Sequence, residues 1–146
     1  MDDVSFAKHV LNLLIKDRYA ARTLIDWPNA IFLGYNVGEE YNALKSKDAR
    51  TKFALDFIDG FSLGFLAMKH DKDIFFNWEL LKQSTPELKF VVANVVDKNH
   101  FIELVITQKG RVRKLAQIHA IANKQLLAIP KVELRDKNVQ EQKQEK

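Results

Sequence analysis

The chain carries one short pattern twice. Phe32-Leu33-Gly34-Tyr35-Asn36-Val37-Gly38 lines up with Ile58-Asp59-Gly60-Phe61-Ser62-Leu63-Gly64 at an offset of 26 residues. Four of the five glycines sit in these two GxxxG segments. A glycine inside a helix costs about 1 kcal/mol against alanine, so something should offset four of them. Glycines four apart share one helical face and let another backbone approach closely. The pattern therefore predicts an antiparallel helical hairpin packed through Gly34, Gly38, Gly60 and Gly64. The functional alternative is a groove for a partner helix or ligand.

The flanking residues predict mostly helix. Phe6, Val10, Leu13, Leu14, Ala21, Leu24 and Ile25 recur at three- and four-residue spacing over 3–25, with Asp2 or Asp3 as cap. Asp26-Trp27-Pro28 starts a second helix to about Leu44, since proline is tolerated in a first turn. Asp48 caps a third to about Lys69, carrying Phe53, Phe57, Phe61 and Phe65 at successive four-residue steps. Ile74–Leu81 reads as a short amphipathic helix.

Residues 84–107 point two ways. Ser84-Thr85-Pro86-Glu87 is a capping box and predicts helix after residue 85. Phe90-Val91-Val92-Ala93-Asn94-Val95-Val96 is β-branched and strand-like. Asp97–His100 could then be a hairpin loop to Phe101–Thr107. Apolar residues at four- and three-residue steps predict a last helix over 101–128, bent at Gly110 and stopped by Pro130. The expected fold is mainly α: one compact helical domain over 1–129 and a disordered polar tail over 130–146. The alternative is α+β, with a β-hairpin near 89–107.

Ten Phe and two Trp in 146 residues suffice for a sizeable core and exclude global disorder. There is no Cys, so disulfides and thiolate chemistry are absent and the reducing cytoplasm is the default compartment. Asp2 and Asp3 are the wrong start for a signal peptide. The longest largely apolar stretch, Phe57–Met68, rises only ~18 Å as helix against a hydrocarbon core of ~30 Å. No membrane span is expected.

Catalytic signals are missing. His9, His70, His100 and His119 lack metal-ligand spacing, and no HExxH, CxxC, GxSxG or phosphate-cradling glycine loop occurs. No metal or cofactor is expected. His119, on an apolar stripe, reads as a partly buried, hydrogen-bonded histidine. Asp56 and Asp59 read as a solvent-facing acid and a partner for a Lys or Arg, and Glu39-Glu40 as a solvated face. The sharpest charge feature is Lys109-Gly110-Arg111-Val112-Arg113-Lys114, four cations in six residues within a net charge of +4. Lys109, Arg111, Arg113 and Lys114 are candidate contacts to phosphates or an acidic partner.

Leu33-Gly34-Tyr35-Asn36-Val37-Gly38 resembles a segment of small chaperone-like adaptors of type IVB secretion systems. The likeness spans these positions only, and neither a function nor a residue role is carried over from it; the functional expectation rests on the other features. Taken together, these features lead to the expectation of a non-enzymatic interaction module. It would be an adaptor or chaperone-like subunit, alone or as a homo-oligomer, binding another polypeptide through an apolar helical face. The alternative is a nucleic-acid-associated factor using 109–114. Steep weakening of binding with salt distinguishes phosphate contacts from apolar docking.

Overall fold

The computed structural model describes residues 1–68, 74–96, 100–122, 125, 127 and 128, with side chains of the long helix followed to residue 64. The Asp2 carboxylate accepts the Ser5 N–H at 2.7 Å and opens α1, Asp3–Lys16. Phe6, Ala7, Val10, Leu11 and Leu14 form its buried stripe. The helix expected over 3–25 breaks at Asp17, whose backbone is extended and whose carboxylate accepts the Ala20 N–H. A short α2, Arg18–Arg22, follows.

The helix expected over 26–44 is absent as such. Pro28 does sit in a first turn, but that turn is a single 3₁₀ turn, Trp27–Asn29. Ile31–Phe32 then extends as β1, and Leu33-Gly34 reverses the chain. The Asn36 side chain caps α3, Val37–Ala43, by accepting the Glu39 N–H at 3.1 Å. The third expected helix is present as α4, Lys47–Met68.

The remaining elements are β2 Phe75–Leu80, β3 Leu88–Val95, β4 Phe101–Lys109 and β5 Val112–Ile121. They form one sheet in the order β1-β5-β4-β3-β2, with β1 parallel to β5 and the other pairs antiparallel. The fold is therefore α+β, not mainly α, and the hairpin alternative near 89–107 is the correct one. Strands stand where helices are expected over 74–81 and after 85, and they occupy residues 101–109 and 112–121 of the helix expected over 101–128. At 84–85 the hydroxyls serve strand entry instead of a helix cap. Ser84 Oγ accepts the Phe90 N–H at 3.0 Å, and Thr85 Oγ1 accepts the Leu88 N–H at 3.1 Å. The stretch expected as a disordered tail, 130–146, lies outside the described residues, as does His70.

One face of the sheet carries Val91, Ala93, Ile102, Leu104, Ile106, Leu115 and Ile118, in one core cluster with α1 residues and with Ala54 and Ile58 of α4. The opposite face is also covered. Phe90, Val92 and Val105 are buried there with Glu103, Gln117 and His119. Ala128 N–H donates to Glu103 at 2.6 Å, which brings residue 128 to this face.

The glycine-packed hairpin is also corrected. Gly34 lies in the turn after β1 with φ +86°, and a Cβ added at Gly60 or Gly64 would meet nothing within 4 Å. Only Gly38 has close neighbours, and they are the backbone of Pro28 and Ala30, not another helix. No described helix is long and apolar enough to cross a membrane.

Candidate functional site

Helix α4 turns its phenylalanine row toward the first half of the chain. Phe57 stacks on Phe53 and Phe61, with centroids 6.5 and 5.8 Å apart, and meets Phe32 at 5.6 Å. Trp27 joins edge-on at 6.3 Å, and Tyr41 stacks on Trp27 at 5.8 Å. Most of this aromatic surface is thus satisfied inside the protein. The side chain of Phe65 lies outside the described residues.

The outer limit of that row is not satisfied. Phe32 and Tyr35 exchange backbone hydrogen bonds across Leu33-Gly34, closing a two-residue turn. Both central residues have positive φ, +52° at Leu33 and +86° at Gly34. Turns of this kind favour Asn, Asp or Gly at both positions, because a Cβ and a bulky side chain are strained there. Leu33 is nevertheless leucine, and 46 % exposed. Tyr35 beside it stacks on Phe57 at 5.9 Å and is 45 % exposed. Its hydroxyl donates to Glu40, and that bond holds the phenol above its usual range. On α4, Phe57, Gly60, Phe61 and Gly64 fall on one face by their spacing, and both glycines leave open space. The result is an apolar shelf with a projecting turn at its edge.

The basic cluster is dispersed. Gly110 and Arg111 make the tight turn between β4 and β5, with Gly110 at φ +60° and Arg111 exposed. Arg113 turns to the helical side. It donates to Asp3 at 3.0 Å and to the Met1 carbonyl at 2.8 Å, and lies 5.0 Å over the Phe6 ring. Lys89 reaches the same Asp3 oxygen at 3.0 Å. Arg113 is therefore part of the fold's own fastening. Lys109 and Lys114 line a cleft at the hairpin end instead.

Asp3 has a consequence for acid stability. Burial pushes its carboxyl up, but hydrogen bonds and charge from Lys89 and Arg113 outweigh this and hold it below its ordinary 3.8. A folded value below the unfolded one gives stability that is present above the unfolded value and lost as pH falls through the folded one. Thermal stability should thus fall below about pH 4, and Asp3→Asn should flatten that fall. Asp2 is lowered too, by its hydrogen bonds to Ser5, so part of the acid dependence remains. Melting curves from pH 5 to 2 with equal slopes in both proteins would remove Asp3 from this role.

Asp56 and Asp59 are each paired with a cation. Asp59 binds Arg18 at 2.5 Å, as expected of it, while Asp56 pairs with Lys52 at 2.6 Å one turn away. His119 is buried in β5 and hydrogen-bonds Gln117 at 2.8 Å. Among the described residues, no three His, Cys, Asp or Glu side chains are placed to hold a metal ion. Sequence reasoning missed Arg50 and Asp26, which share the cleft with the two lysines. No run or spacing links residues 26, 50, 109 and 114. No protein-family model, curated protein or solved structure matches the chain.

Proposed function

We propose that the protein is a non-enzymatic interaction module whose apolar shelf on α4 receives an apolar helical segment of another polypeptide. The observation that carries this reading is Leu33. A leucine with φ +52° and 46 % exposure is disfavoured twice, by its backbone and by its solvation. The Leu33 N–H donates to the Ile118 carbonyl at 2.8 Å, which offsets part of the backbone cost but not the exposure of the side chain. A projecting apolar side chain that fills a pocket on a partner would offset that exposure. The glycines at 60 and 64 support the reading, because without Cβ atoms the helix beside the turn admits a second backbone closely.

The test separates binding from folding. Leu33→Asn suits the turn better and should raise stability by about 1 kcal/mol, read as a higher urea midpoint. The same change should lose proteins captured from the host by the wild-type chain, or shift a self-associated species to monomer in sedimentation. Capture and association that are unchanged in Leu33→Asn would overturn the proposal.

A further inference from the structure

The cleft at the hairpin end is independent of the apolar shelf. It encloses about 640 Å³, within the size range of small-molecule sites. One wall is the β4–β5 hairpin, with Thr107, Lys109 and Lys114. The other combines the 3₁₀ turn, α3 and the first turn of α4, which contributes Arg50.

The two lysines are placed by register. Lys109 pairs with Val112, and Lys114 pairs with Thr107. Lys109 and Lys114 are therefore diagonal neighbours on adjacent strands, about 7–8 Å apart at the backbone. Two flexible ammonium groups at that separation can reach one anionic group. Arg50 is held on the facing wall. Its Nε donates to the Leu44 carbonyl at 3.0 Å, and its guanidinium lies 5.4 Å over the Tyr41 ring. Tyr41 is itself stacked on Trp27.

Charge does not balance in the cleft. Arg50, Lys109 and Lys114 face a single carboxylate, Asp26. One oxygen of that carboxylate already accepts from Thr107 Oγ1 at 2.7 Å and from Asn29 Nδ2 at 3.0 Å. None of the three cations forms an ion pair among the described residues. Gathering like charges is unfavourable, and a dianion would remove the excess.

We propose that this cleft is a binding site for a small phosphomonoester. Lys109 and Lys114 would hold the phosphate from one wall and Arg50 from the other. Lysine suits a phosphate as a point charge, and a positioned guanidinium suits it as a planar fork. The cleft is larger than a bare phosphate, and Pro28, Tyr41, Asn42 and Val112 line much of the remainder. The body attached to the phosphate is accordingly of about nucleoside size, with both an apolar face and polar groups.

The test is calorimetric titration of the full chain with inorganic phosphate, adenosine 5′-monophosphate, adenosine and a thymidine oligonucleotide. Saturable binding of the monophosphate, tighter than phosphate and absent for adenosine, is expected. Lys109→Gln and Lys114→Gln should each weaken it about tenfold, with melting curves confirming the fold. Arg111→Gln is the decisive control, because Arg111 is exposed at the turn and outside the cleft. It should change affinity by less than about twofold, as surface charges screened by salt do. Equal weakening by Arg111→Gln would reduce the site to a diffuse basic surface and overturn the proposal. Absence of saturable monophosphate binding would overturn it outright. An oligonucleotide that binds far tighter than the mononucleotide would overturn the small-molecule assignment and leave a nucleic-acid strand as the occupant.

Discussion

Phe32→Ala should destabilise the protein by about 3–5 kcal/mol, the range for truncating a buried phenylalanine. Phe32 is 2 % exposed and lies between sheet and helix. Its strand β1 pairs with β5 at Ile118, while its ring meets Phe57 at 5.6 Å and Phe61 at 5.3 Å. β1 is two residues long and has one sheet neighbour. It cannot move inward to fill the space without giving up its pairing, so the cavity should persist. The lost ring contacts add to the cavity, since aromatic pairs contribute about 0.5–1.5 kcal/mol beyond buried area. Urea unfolding should show a lower midpoint with an unchanged slope. Phe76→Ala on the outer strand β2 is the internal comparison. That side chain is 43 % exposed, and its loss should be below about 1 kcal/mol. Equal effects at the two positions would mean that Phe32 does not tie β1 to α4.

The helices and strands differed in how far they could be read from residues alone. α1 and α4 carry local information: Asp2 caps the first, and buried positions recur along one stripe. The strands lacked the alternation that marks a half-exposed sheet. In β4, residues 102–106 are all buried: helices pack on one face, and on the other Glu103 is buried and bonded by Ala128 N–H. A strand buried on both faces reads as a continuous apolar run, and such a run also satisfies helical spacing. Residues 26–44 failed for a different reason. Asp26, Pro28 and the two glycines are all compatible with helix, but Ile31-Phe32 finds an open edge on β5. Only tertiary pairing decides that competition. The cleft was half legible. The run at 109–114 marked Lys109 and Lys114, but strand alternation then sent Arg113 to the opposite face, against Asp3. Arg50 and Asp26 reach the cleft by folding alone.

Glycine substitutions should divide by sign, and the division tests the architecture directly. A Cβ at Gly38 would stand 2.5 Å from the Pro28 carbonyl oxygen, 3.0 Å from its carbon and 3.1 Å from Ala30 N. All three are backbone atoms. Pro28 has little freedom to yield, since its ring restricts φ and its carbonyl accepts from Asn42 Nδ2 at 3.1 Å. Gly38 N–H also donates to Ala30 O at 2.8 Å, which fixes α3 against the turn. Gly38→Ala should therefore cost about 1–3 kcal/mol by overpacking, despite the gain of up to about 1 kcal/mol that alanine brings to a helix. Gly60 and Gly64 have open space at the same point, so Gly60→Ala and Gly64→Ala should each add about 0.5–1 kcal/mol. Urea midpoints of the three variants read this directly. A Gly38→Ala protein as stable as wild type would remove the close approach of α3 to the 3₁₀ turn. The alanines at 60 and 64 also probe the apolar shelf. Each places a methyl group where a docked backbone would lie, so a more stable protein that binds its partner less well is the expected pair of results. If both variants gain stability and keep full binding, the partner does not use this face of α4.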